Sequence, residues 1–200
     1  MINYTKQLKT YNWNEYGKKT GLGRVVNTFY FTDSEDKFDP SGRVLVLFDN
    51  NINETYVLFD NFGLLAESKN SDELVKLAED PNATLIVSNK NVKRHANDYV
   101  KYMVQTHDDN YKQESLSYHN KLRSSYIKRM DTVSKKRESY FRVIEGFDKN
   151  PSKQSRYAYS DFKSKIDRYG SRLIDFNQVI KFQTSLIKLI EKTEPSQERE

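Results

Sequence analysis

Three histidines, His95, His107 and His119, stand twelve residues apart, and histidines at a fixed spacing are the first candidates for a metal site. Twelve helical steps turn a side chain by about 120°, so one continuous helix would spread the three over three faces, where they cannot share an ion. His107-Asp108-Asp109 has the form of one ligand pair for metal-assisted hydrolysis, but no second His–Asp set stands where such a centre needs it. Capping or surface roles are expected for them. Gly17-Lys18-Lys19-Thr20-Gly21-Leu22-Gly23 carries the residue types of a phosphate cradle. A P-loop also needs a glycine five residues ahead of its Gly-Lys-Thr/Ser, a strand in front and a helix behind. Here Trp13-Asn14-Glu15-Tyr16 leads in and a strand follows, so the segment reads as a loop before a sheet. Asp33, Glu35, Asp36 and Asp39, with Asp49 and Asp60, are the remaining candidates for divalent-metal chemistry. They have no EF-hand register, and their places at strand ends suit aspartates that bond their own backbone in turns. The chain has no cysteine, which removes disulfides, thiol nucleophiles and thiolate metal sites together. No catalytic set, cofactor or metal is expected, and the chain reads as non-enzymatic.

Charge carries the positive signal. Residues 1–92 hold 10 Lys+Arg against 13 Asp+Glu, net −3, whereas residues 93–200 hold 23 against 15, net +8. Two surfaces of opposite sign can meet different partners. Lys121, Lys128, Lys135 and Arg142 are each seven residues apart, which puts them in one row on a helix face about 180° from Tyr126, Met130, Val133 and Ile144. Arg129, Lys136 and Arg137 thicken the row, and Arg156, Lys163, Lys165, Arg168 and Arg172 continue it. Successive cations about 10 Å apart can follow a phosphate backbone and release its counterions. A solvated face braced by i,i+4 pairs competes with that reading: Asp131 can reach Lys135 and Glu138 can reach Arg142. Lys121, Lys128, Arg129 and Lys136 have no carboxylate four residues back. Tyr118, Tyr126, Tyr157 and Tyr159 between the cations can stack on bases or fill a helix seam, and their spacing favours the seam.

The elements that must position these residues fall into two kinds. Arg24–Thr32, Arg43–Asp49 and Thr55–Asp60 are rich in Val, Leu, Tyr and Phe and bounded by Asp, Asn, Pro and Gly clusters, so they read as strands of an antiparallel sheet. Ser71 opens a short helix that Pro81 closes, and Ala83–Val87 reads as one more strand. Val92–Glu145 has helical spacing, with a possible break and cap near Thr106–Asn110, and Gly146 and Pro151 end it. From Tyr159 onward, Phe162, Ile166, Tyr169, Leu173, Phe176, Ile180, Gln183, Ile187 and Ile190 step three, four, three, four, with only Gln183 not apolar. That is a helix packed along its length on another helix.

The expected fold is α+β: an N-terminal antiparallel β-sheet with a short helix, and a C-terminal long antiparallel helical hairpin. The expected division is 1–92, mainly β and acidic; 93–193, the basic hairpin; and 194–200, a frayed acidic tail. A short connection makes pairing within one chain the simpler reading, hence a monomer. Candidate DNA-backbone contacts are Lys121, Lys128, Arg129, Lys135, Lys136, Arg142, Arg156, Lys163, Arg168 and Arg172. The acidic sheet rim, with Asp36, Phe48, Asp49, Phe59, Asp60 and Phe62, is the candidate surface for a basic protein partner, with core packing the competing and favoured fate of the three phenylalanines. No signal peptide and no apolar run of membrane-spanning length is visible, so a cytoplasmic protein without a membrane partner is expected.

A Cys-free, Lys/Asn/Tyr-rich chain with an acidic sheet, a basic hairpin and no catalytic set resembles the small early proteins with which lytic phages of Gram-positive hosts take over the cell. Its length and two-part character resemble the staphylococcal phage inhibitors that bind the promoter-recognition domain of the host primary sigma factor. The likeness is one of size and composition, so no residue role follows from it position by position. It implies a protein on RNA polymerase holoenzyme near the −35 element, touching adjacent DNA and inhibiting transcription from selected promoters. Two alternatives stay open: an inhibitor of a nucleic-acid-guided host defence nuclease, and a metal-dependent nuclease built on the Asp33–Asp60 acids.

Overall fold

The structure, a computed structural model, describes residues 11–31, 43–60, 62–79, 90–149 and 153–195, of which 79, 90–92 and 153–157 are described by backbone alone. Asp33, Glu35, Asp36, Asp39 and the expected 83–87 strand lie outside the described residues, as do the last five positions of the expected tail. The side chains of Arg156 and Tyr157 lie outside them too.

Among the described residues the first element is a helix that its sequence had disguised. Asn12 accepts a hydrogen bond from the Glu15 N–H at 3.1 Å and caps α1, Trp13–Thr20. Gly21, at φ 79°, ends it in the left-handed conformation. The Gly17–Gly23 segment is therefore a helix C-terminus and not a free loop, with Lys18 and Lys19 at the negative end of the helix dipole. Its glycines serve close packing: a Cβ on Gly17 would stand 2.0 Å from the Gly23 carbonyl oxygen and 2.9 Å from the Phe48 ring.

Four strands follow, β1 Arg24–Phe31, β2 Arg43–Asp49, β3 Glu54–Asp60 and β4 Gly63–Ser68, in one antiparallel sheet of that spatial order. The central β2 is buried on both faces, which is why it reads as a continuous apolar run without alternation. One face carries α2, Ser71–Glu79, whose Leu74, Leu77 and Ala78 pack on Leu45, Leu58, Leu65 and Ala66. The other carries an aromatic layer: Trp13 and Tyr16 of α1 and Tyr99 of the next helix surround Phe59, at ring separations of 4.7, 5.4 and 4.9 Å.

That next helix, α3, is Lys90–Thr106, and its Ala96, Tyr99, Val100 and Met103 are buried. It ends where the break was expected. Asp108 accepts from the Tyr111 N–H at 2.9 Å and starts α4, Asp109–Lys149, which runs through Gly146 and does not stop there. α5 is Lys153–Lys192. The chain separates into two compact units, one of residues 1–119 and 186–200 and one of residues 120–185. The first unit thus keeps α3 and the opening turns of α4, which the sequence reading had given to the hairpin from residue 93. The reason is that α3 spends its apolar face on β4.

The 120–185 unit is the antiparallel helical hairpin. Tyr126 meets Phe176 at 5.6 Å, Tyr140 meets Tyr169 and Phe162 at 5.8 and 5.3 Å, and Phe147 meets Phe162 at 5.9 Å. Partners on α5 fall in number as those on α4 rise, so the two arms pair within one chain. In this unit Tyr126, Ile166 and Phe176 are buried, whereas Met130, Val133, Tyr140, Tyr169 and Leu173 are only half-buried, as a seam of bulky rings between just two helices dictates. Gln183, the one polar member of the ladder, is buried. Among the described residues no helix is long and apolar enough to cross a membrane.

Candidate nucleic-acid interface

The row Lys121, Lys128, Lys135 and Arg142 is exposed along the back of α4, and Lys136 is exposed beside it. The four are not equivalent. Lys135 Nζ lies 2.8 Å from Asp131 Oδ2 and Arg142 Nη2 lies 2.6 Å from Glu138 Oε1. The hydrogen bond that Lys135 donates to Asp131 holds its ammonium above its ordinary pKa, so its charge is committed locally. On α5, Lys165 is tied in the same way to Asp161 at 2.6 Å.

Lys121, Lys128, Lys136, Lys163, Arg168 and Arg172 are exposed and have no carboxylate within 4.0 Å among the described residues. At about 100° per residue, Lys136 of α4 and Arg168 and Arg172 of α5 fall on the same flank of the hairpin, next to the Lys121–Lys128 row. Arg129 differs from its neighbours. Its guanidinium lies over the Tyr126 and Phe176 rings, 4.8 and 4.9 Å from their centroids, covering the end of the seam through cation–π contact.

Three of the six residues of the expected protein-contact rim, Phe48, Phe59 and Asp60, are buried. Phe48 and Phe59 are fully buried, Phe48 against Tyr16 and Phe59 in the aromatic layer, so neither can anchor a partner. Asp60 is buried at 8% exposure: it accepts from the Tyr118 hydroxyl at 2.6 Å and from the Phe62 N–H at 2.8 Å. Phe62 is half-buried between the Tyr111 and Tyr118 rings. Asp49 accepts from the Asn51 N–H at 2.7 Å and from Arg24 at 3.2 Å. Asp49 and Asp60 are thus the turn-forming aspartates that their positions implied.

No protein-family model, curated protein or solved structure matches the chain. The functional reading therefore rests on side-chain geometry.

The histidines serve structure. His107 contacts the Met103 carbonyl at 2.8 Å and closes α3. His95 and His119 are buried, at 4% and 2% exposure, against the surface role expected of them. His119 Nε2 meets the Phe62 carbonyl at 2.8 Å. His95 places Nδ1 on the Glu67 carboxylate and Nε2 3.2 Å from the Thr20 carbonyl, joining α3, β4 and the end of α1. Glu67 follows Ala66 in a strand the sequence did not announce, so this pair had no signal in residue spacing. The Arg94 guanidinium also lies 3.2 Å from Nε2, so both ring nitrogens are occupied by protein groups. Among the described residues no three His, Cys, Asp or Glu side chains gather to hold a metal ion.

Proposed function

We propose that the chain is a non-enzymatic regulator that grips a nucleic-acid backbone with its helical hairpin and acts by occluding a partner's surface. The observation that carries this reading is the set of six exposed cations, Lys121, Lys128, Lys136, Lys163, Arg168 and Arg172, standing without a described carboxylate on a unit whose residues 120–185 hold 16 Lys+Arg against 7 Asp+Glu. Surface cations not tied to carboxylates can neutralise phosphates at little cost, and a net charge of +9 draws a polyanion in from a distance. The contact would be to phosphates and not to base edges, since Tyr126 is buried in the seam and Tyr118 is bound to Asp60. Affinity without sequence preference follows.

Resemblance to phage early proteins supplies the proposed setting: host RNA polymerase carrying its primary sigma factor, with promoter-specific transcription inhibited. The test has two arms. Full-length protein is titrated against a labelled DNA duplex, and against purified sigma factor and holoenzyme. Binding to DNA that weakens steeply with salt and is lost in Lys128→Glu/Lys136→Glu/Arg168→Glu supports the backbone grip, and salt-independent or absent binding refutes it. Failure to bind sigma factor or holoenzyme while DNA binding persists would refute the transcriptional setting alone.

A further inference from the structure

The flank of the hairpin away from Lys136, Arg168 and Arg172 is apolar. A groove of about 760 Å³ runs there between α4 and α5, walled by Ile127, Met130, Leu173 and Ile174. Ile127 is 45% exposed and Ile174 61%, and both are large aliphatic side chains facing water. Gly170 opens the floor: its missing side chain leaves room for the Arg137 guanidinium, 3.3 Å from where a Cβ would stand. Arg137 donates from Nε to the Ile166 carbonyl at 3.2 Å and lies over the Phe141 ring, and its side chain lines the groove.

We infer that this groove is a docking site for a single amphipathic helix of a protein partner, with an apolar stripe bordered by acidic residues. Two antiparallel helices with a half-buried seam lack a third helix to complete the core, and a helix laid in such a groove uses anchors at i, i+3 or i+4 and i+7. From Ile127 to Arg137 the groove extends about 15 Å, near three helical turns, which fits that anchor set. The sign of the partner follows from the lining. The only carboxylate there, Asp131, is already paired with Lys135, so Arg137 is the uncompensated charge, and the unit around it carries net +9. Both favour an acidic helix and disfavour a second copy of this equally basic hairpin. This surface is on the opposite flank from Lys136, Arg168 and Arg172, with Lys163 alone of the proposed phosphate-binding cations on its side of α5, so those three cations can hold DNA on one flank while a protein docks on the other.

The test uses full-length protein with methyl-labelled Ile and Met. The probes are two synthetic helical peptides of about 18 residues that share a leucine stripe and differ in having Glu or Lys beside it. The acidic peptide should bind, shift the Ile127, Met130 and Ile174 methyl resonances, and bind at least tenfold more weakly to Ile174→Glu. Lys136→Glu should keep those shifts. Equal binding of both peptides, shifts confined to residues outside the groove, or no binding would overturn the inference. So would a dimer in light scattering that Ile174→Glu dissociates, since a second copy would then own the face. Ile174 is exposed, so the variant should keep its circular dichroism and its DNA affinity. Loss of DNA binding by Lys136→Glu alone bears on the proposed function and leaves the groove unaffected.

Discussion

Two double variants with the same change in net charge separate local chemistry from bulk electrostatics. Lys128→Gln/Lys136→Gln removes two exposed cations without a described carboxylate, whereas Lys135→Gln/Arg142→Gln removes two that already hold Asp131 and Glu138 at 2.8 and 2.6 Å. A cation that neutralises a phosphate contributes about 0.9 to the slope of log affinity against log salt. If Lys128, Lys136, Arg168 and Arg172 each meet one phosphate, the wild-type slope is about −3.6, a loss of about 150-fold in affinity between 50 and 200 mM salt. Removing Lys128 and Lys136 should bring the slope to about −1.8. The paired cations must leave a carboxylate before they can meet a phosphate, so removing them should change the slope by less than half as much. Fluorescence anisotropy of a labelled duplex across a salt series reads both. Identical slopes for the two variants would show that net charge alone governs binding, and a flat wild-type slope would remove the phosphate contacts altogether.

Three further outcomes test the fold that holds this surface. Gly17→Ala drives a Cβ to 2.0 Å from the Gly23 carbonyl oxygen and should cost about 2 kcal/mol or more in urea unfolding; an unchanged midpoint would contradict the close approach of α1 to the start of β1. His95→Ala strands the Glu67 carboxylate, 8% exposed, and should cost about 3–5 kcal/mol, part of which Glu67→Gln in the same chain should return; no recovery would mean that lost packing dominates. Burial first, then neighbouring tyrosines, then nearby carboxylates push the Tyr11, Tyr16 and Tyr99 hydroxyls above the ordinary 10.0. The unfolded chain therefore releases these protons first, so stability is full below pH 10 and falls above it, by up to about 4 kcal/mol per pH unit for three tyrosines. Tyrosinate absorbance equivalent to all 14 tyrosines reached while circular dichroism is unchanged would refute that coupling.

Periodic features were legible in the sequence because burial writes itself into spacing. The strands Arg24–Phe31, Arg43–Asp49 and Glu54–Asp60, the break at Thr106–Asn110 and the Tyr159–Ile190 ladder all correspond to observed elements. What escaped was local chemistry that imitates something else. β4, Gly-Leu-Leu-Ala-Glu-Ser, has no β-branched residue and is a strand by virtue of pairing with β3. α1 hid inside a run of glycines and lysines, and Gly146 ended nothing because the helix around it is held by its neighbours. At the candidate site, the pairing of Lys135 and Arg142 followed from i,i+4 spacing alone. The burial of Phe48 and Phe59 was the favoured of the two fates open to them, since an apolar residue at a strand end can face either way until both layers over the sheet are known, whereas that of Asp60 had no signal in spacing. The apolar flank at Ile127 and Ile174 was equally hidden, because Ile127 lies just off the α4 seam spacing and Ile174 beside the α5 ladder.

Gln183 gives the ladder a property that its apolar members cannot. Aliphatic and aromatic stripes tolerate sliding: a shift of one turn, about 5.4 Å, exchanges one greasy contact for another. A buried amide tolerates no such shift, because its donors and acceptor match only one alignment and elsewhere would be left in the dry interior. The Gln183 side chain is buried and is not among the buried groups without a hydrogen-bond partner. A leucine there should give a helix that melts no earlier yet is less sure of its place, with broadened amide resonances along α5 as neighbouring alignments become populated. The single polar rung thus acts as an address, fixing which residues of a long and otherwise repetitive helix stand opposite which.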